Sequence, residues 1–210
     1  MSHGLMPTEV AEGTRLGLAP LARRLHRVGV TANAVTVIGV LITFAGSALL
    51  AGGRPLPALV VLLAGALSDT LDGQLAKAAG GGTRFGAFLD STLDRVSDAA
   101  LACGAAALGA ARGDALLFWS ALIGLVASFL VSYVRAKAES MGATATVGFM
   151  PREARLTVLL IGIGVWGAFD LYQLFVAAVA AVALLSVVTL LQRIAFVART
   201  LNTTSKEGTR

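Results

Sequence analysis

Five aspartates, Asp69, Asp72, Asp90, Asp94 and Asp98, fall within thirty residues of two stretches that are otherwise apolar. A lipid-facing charge at mid-membrane costs roughly 2.5–3.5 kcal/mol on the insertion scale, so five would cost about 12–17 kcal/mol, comparable to a whole domain's stability of about 5–15 kcal/mol. Any membrane fold must therefore turn these carboxylates toward one another, a cavity or a cation.

The surroundings are those of a membrane protein. Hydrophobic residues make up 56% of the chain and charged residues only 14%, against roughly 25% charged in soluble domains. Apolar runs cover about residues 34–52, 56–68, 85–111, 115–134, 156–170 and 172–191. A spanning helix needs about 20 residues, which the second and fifth runs reach only by extending to about 79, taking in Asp69, Asp72 and Lys77, and back to about 152, taking in Arg155.

The expected architecture is all-α and integral to the membrane: one domain over 1–210, with an N-terminal amphipathic interfacial helix at about 10–28, six transmembrane helices over about 32–200 and a disordered tail at 201–210. Leu18, Leu21, Leu25 and Val28 share one helical arc and Arg23, Arg24 and Arg27 the opposite one, the pattern of a helix lying in the interface. Pro20 is best tolerated in a first turn, so the regular helix is expected to begin near it.

Basic residues sort to one side. Links after the first, third and fifth runs carry Arg54 and Arg112, whereas the other side collects Arg15, Arg23, Arg24, Arg27, Lys77, Arg84, Arg135, Lys137, Arg152, Arg155, Arg193, Arg199, Lys206 and Arg210. The positive-inside rule then puts both termini of this multi-pass protein in the cytoplasm. The net charge of +5 reflects this topology. Anionic membrane lipid is the expected partner and nucleic acid is not, since no basic cluster is interleaved with aromatics. A single cysteine, Cys103, excludes an intrachain disulfide.

Asp69 and Asp72 lie one turn apart, and Gly73 and Ala76 continue that face. Gly86, Asp90, Asp94 and Asp98 are spaced by four, forming one stripe. Gly80-Gly81-Gly82 between them allows a tight reversal, so the two carboxylate faces should oppose each other. The two stretches bring no lysine or arginine between these faces. Hard oxygen ligands suit magnesium or a similar ion, and the lack of histidine or cysteine here argues against zinc. A proton relay, an ion path or interhelical hydrogen bonds would also explain buried aspartates.

The spacing Asp69-x-x-Asp72-Gly73-x-x-Ala76-Lys77, eight residues, Gly86-x-x-x-Asp90-x-x-x-Asp94 resembles the signature of the CDP-alcohol phosphotransferase family. Lys77 is the one departure, standing where the family usually has arginine, and an ammonium cannot reproduce a bidentate guanidinium. Within the family, residues 80–86, 94–98 and 132–139 look like the actinobacterial phosphatidylinositol phosphate synthases. The resemblance implies a homodimer in the bacterial plasma membrane, with its active site on the cytoplasmic face, that joins CDP-diacylglycerol to inositol phosphate and releases CMP.

It further implies Mg2+, or Mn2+, held by Asp69, Asp72, Asp90 and Asp94, with Asp94 as catalytic base. The donor nucleotide would meet Asp69, Gly73, Ala76, Lys77, Thr83 and Gly86. An anionic acceptor would be gripped by Ser132, Arg135, Arg155 and Arg193, although the family commonly has lysine at the position of Arg135. Asp98 has no assigned role. Trp119, Trp166, Tyr133 and Tyr172 suit interface anchoring. The rival readings are a phosphatidylglycerol phosphate synthase using glycerol 3-phosphate, whose acceptor is also anionic, and an ion or proton transporter, which leaves the signature glycines and alanine unexplained.

Overall fold

A computed structural model describes residues 8–145 and 147–207, with side chains described over 17–145 and 147–201. Among these residues there are seven helices and no strand: α1 (Thr8–Arg27), α2 (Ala32–Ala51), α3 (Pro55–Ala78), α4 (Arg84–Arg112), α5 (Ala115–Ser140), α6 (Arg152–Phe169) and α7 (Tyr172–Glu207). Four of them, α2, α3, α5 and α7 over Tyr172–Leu201, are long and apolar enough to cross a membrane. Of the other three helices, α4 and α6 carry charged residues among their apolar ones. α4 holds the Asp90–Asp94–Asp98 stripe, and α6 opens with Arg152, Glu153 and Arg155.

Helix ends follow local sequence. The Thr31 hydroxyl caps α2 by accepting from Ala34 N, and Asp114 caps α5 by accepting from Leu117 N, each satisfying an amide that has no partner inside its helix. Links on one end of the bundle are short, at 52–54, 113–114 and 170–171, so successive helices fold back antiparallel.

The helices pair as α2 with α3 and α4, α5 with α4 and α7, α6 with α7 and α3, and α1 with α3. The main core lies toward the short-link end, around Leu50, Leu62, Leu108, Leu117, Ile163, Trp166 and Phe175. Small residues bring backbones together there. A Cβ on Gly104 would lie 2.6 Å from the Ser47 carbonyl oxygen of α2, so this crossing requires glycine.

Several expectations change. α1 begins at Thr8 with Pro20 inside it; the missing amide leaves a carbonyl unbonded within the helix, but does not delay the start. Its inward residues are Ala22 and, partly, Leu25, packed on Val35 and Leu75, while Leu21 and Val28 are exposed. α7 runs on to Glu207, through most of the stretch expected to be a disordered tail, because nothing from Leu201 to Glu207 is a helix breaker; residues 208–210 lie outside the described residues. Trp166 is buried in the core rather than set as an interface anchor, since Arg112 and Tyr172 cover its ring. Trp119 and Tyr133 are exposed.

Candidate active site

Thr83 ends the glycine-rich reversal and caps α4, its hydroxyl accepting from Gly86 N at 2.9 Å. This start aims the α4 stripe at α3. One carboxylate oxygen from each of Asp69, Asp90 and Asp94 then lies within 4.8 Å of the others, so the two helices do present opposed acidic faces. Asp72, one turn nearer the C-terminal end of α3, is buried and accepts from the Thr36 hydroxyl of α2 at 2.7 Å. It stands beside the compact group, with one oxygen already held.

The opposed faces do not lack a cation. Arg152, the first residue of α6, reaches Asp94 Oδ1 at 2.9 Å and Asp69 Oδ1 at 3.6 Å with one terminal nitrogen, and its Nε donates to Asp98 Oδ1 at 3.3 Å. Arg155 donates to Asp98 Oδ2 at 3.4 Å and to the Met150 carbonyl at 3.1 Å. Asp98, without a role from sequence, is therefore the carboxylate that ties α4 to both arginines of α6. Sequence reasoning treated Arg152 only as a topological charge. The available signal was its position three residues before Arg155, on the same helical face.

Counting Arg95, 3.6 Å from Asp94, three guanidinium groups face five carboxylates when all are ionised, leaving two negative charges. An all-oxygen donor set with that excess fits one hard divalent cation. The carboxylates line a solvent-open cleft with a cavity of about 70 Å³, whose polar lining includes Thr36, Asp69, Asp72, Asp94, Ser97 and Arg152.

The small signature residues divide. A Cβ on Gly73 would meet nothing within 4 Å, whereas one on Gly86 would lie 3.0 Å from Thr83 Oγ1 and 3.2 Å from Asn33 Oδ1. Gly73 thus leaves open space, and Gly86 serves the contact between α4 and α2. Ala76 is half-buried, and Lys77 is exposed in the last turn of α3.

The arginines assigned to the acceptor also divide. Arg155 and Arg193 are buried. Arg193 donates to the carbonyls of Val147 and Val131, both at 2.9 Å, which sets it beside Ser132. Arg135 is exposed and paired with Glu139 at 2.9 Å.

A model of the family described as CDP-alcohol phosphatidyltransferase matches residues 29–192. Over 150 residues the chain is 43% identical to a phosphatidylinositol phosphate synthase of Mycobacterium marinum, a match covering 70% of this chain and 63% of that protein's length. It is 36% identical over 157 residues to an archaetidylinositol phosphate synthase of Pyrococcus horikoshii, covering 74% of this chain and 81% of the relative. The crystal structure of Mycobacterium tuberculosis phosphatidylinositol phosphate synthase with CDP-DAG bound superposes with a TM-score of 0.80 at 38% identity, over 86% of this chain and 92% of that one. The structure of the same enzyme with manganese and citrate gives 0.79 at 37%, covering 86% and 88%.

Proposed function

Because the chain belongs to the CDP-alcohol phosphatidyltransferase family, we propose that it transfers the phosphatidyl group of CDP-diacylglycerol to inositol phosphate, releasing CMP and forming phosphatidylinositol phosphate. The observation that carries this reading is the meeting of Asp69, Asp90 and Asp94 within 4.8 Å at the family's signature positions. Asp69, Asp90 and Asp94 would hold Mg2+ or Mn2+, with Asp72 beside them oriented by Thr36. When bound, the ion supplies neutralisation of charge on the donor diphosphate.

This chain's own residues do the rest. Asp94 takes the proton from the acceptor hydroxyl, whose oxygen bonds to the phosphorus next to diacylglycerol as the bond from that phosphorus to the CMP oxygen breaks. The open space at Gly73, with Ala76 beside it, admits the nucleotide. Lys77 offers a point charge to phosphate, and Thr83 and Gly86 shape the loop over it. Arg155 and Arg193, fixed by backbone carbonyls, meet the acceptor's phosphate with Ser132 and Arg135.

Six spans are part of the same proposal, and connectivity supports them. α3 ends at the aspartate side while α5 begins at the short-link end, so α4 must cross between them; α6 must likewise return the chain from α5 to α7. At about 1.5 Å per residue the 29 residues of α4 and 18 of α6 measure roughly 43 and 27 Å, against about 30 Å of hydrocarbon. The basic side carries both termini and the site to the cytoplasm of the bacterial cell membrane, with α1 in the interface and its exposed Arg23, Arg24 and Arg27 toward anionic headgroups. The homodimer belongs to the same proposal, and the mass of the detergent-solubilised particle tests it.

The acceptor is tested by offering purified protein CDP-diacylglycerol and Mg2+ with either inositol phosphate or glycerol 3-phosphate. Faster CMP release with inositol phosphate is expected. Preferential product from glycerol 3-phosphate would reject the acceptor and leave the reaction class standing.

A further inference from the structure

Arg152 occupies a position that needs explaining. It is the first residue of α6, where the positive end of the helix dipole opposes a cation, and it is held there by carboxylates on two other helices. Its guanidinium faces two ways: one terminal nitrogen turns to Asp94 and Asp69, and Nε turns to Asp98. Asp98 does not depend on Arg152 for its own placement, because Arg155 pairs with its second oxygen and is itself tied to the Met150 carbonyl.

We propose that Arg152 is a resident counter-cation of the aspartate site, competing with the divalent ion for Asp69 and Asp94, and that Asp98 is the positioning residue that draws it aside. This inference rests on the reading that Asp69, Asp90 and Asp94 hold that ion. Without a cation these carboxylates would repel one another within 4.8 Å, and Arg152 relieves the repulsion. When an ion takes the oxygens of Asp69 and Asp94, the terminal nitrogen must give them up. Nε keeps its bond to Asp98, so the side chain pivots rather than dissociates. The protein thereby keeps its acidic site folded while empty, at the cost of weaker metal affinity.

The test is metal binding in the absence of substrate, read from the free Mn2+ electron paramagnetic resonance signal during titration of the full chain in detergent micelles. Arg152→Gln should tighten Mn2+ binding about tenfold. Asp98→Asn should weaken it, by a factor roughly fivefold larger when Arg152 is present than in the Arg152→Gln background, a coupling of ordinary size for linked sites. A merely structural link between α4 and α6 would lower thermal stability in Arg152→Gln without tightening Mn2+ binding, and unchanged or weaker binding would overturn the inference alone. Equal factors for Asp98→Asn in both backgrounds would make Asp98 a ligand in its own right and overturn its positioning role. Failure of the unmodified protein to bind Mn2+ would sink the metal reading and the inference with it.

Discussion

At the end of the bundle with the short links, Leu117, Ile163 and Phe175 are fully buried, and the Trp166 ring stacks on Phe175 at 5.6 Å. Arg112 lies 4.4 Å from the Tyr172 ring centroid, and the Tyr172 hydroxyl donates to Asp114 at 3.1 Å. At the other end the links are longer, at 28–31, 79–83 and 141–151, and beside small apolar clusters such as Ala22, Val35 and Leu75 the helices meet through charge: Arg152 and Arg155 of α6 with Asp69, Asp94 and Asp98. Packed hydrocarbon and rings have nothing to exchange with a ligand, whereas guanidinium–carboxylate pairs can be replaced by a metal or a phosphate. On the proposed function the short-link end carries stability and the acidic end carries chemistry, although one set of helices runs through both.

Substitutions at the two ends should separate these properties. The largest effect belongs to Asp94→Asn, which on the proposed mechanism removes the base and a metal-site oxygen together: CMP release should fall about a thousandfold or more, while the thermal unfolding midpoint and particle size stay near those of the parent. Near-normal turnover would remove Asp94 from the chemistry. Ile163→Ala should do the opposite, destabilising the bundle by about 2–5 kcal/mol through a cavity and lowering the unfolding midpoint, with kcat per folded molecule unchanged. If kcat falls while the midpoint holds, the division between the ends is wrong.

Smaller changes sharpen the comparison. Arg155→Ala should raise the acceptor's KM about tenfold or more, the scale of one charged hydrogen bond, and leave the donor's KM close to its original value; equal shifts in both would argue against an acceptor pocket. Tyr172→Phe should cost only about 0.5–1.5 kcal/mol by deleting the bond to Asp114, visible as a small drop in midpoint with unaltered kinetics.

Much of the acidic end was legible because its signals are local. Asp69 and Asp72 share a face by spacing three, the α4 stripe repeats every four, and the glycine run predicts the reversal that opposes them. Which carboxylates the acidic end's cations pair with was not legible, because the partners are remote in sequence. Asp98 meets Arg152 and Arg155 at separations of 54 and 57 residues, and Thr36 meets Asp72 at 36. No periodicity encodes which of many basic residues near a helix end will turn inward. The same holds for Trp166 and Tyr172: aromatics near a predicted span end look alike whether they face headgroups or, as here, cover one another and Arg112. Pro20 reads locally as a helix boundary, yet α1 is regular from Thr8, and the docking of Ala22 and Leu25 on Leu75 is a tertiary effect that local sequence does not encode.

The claim that most depends on the acidic end is that its carboxylates work through a divalent ion. CMP release from CDP-diacylglycerol, followed with saturating inositol phosphate after exhaustive chelation and again after adding back Mg2+ or Mn2+, tests it directly. Turnover should fall to background on chelation and return with either ion; turnover that persists undiminished in the chelated protein would contradict the account.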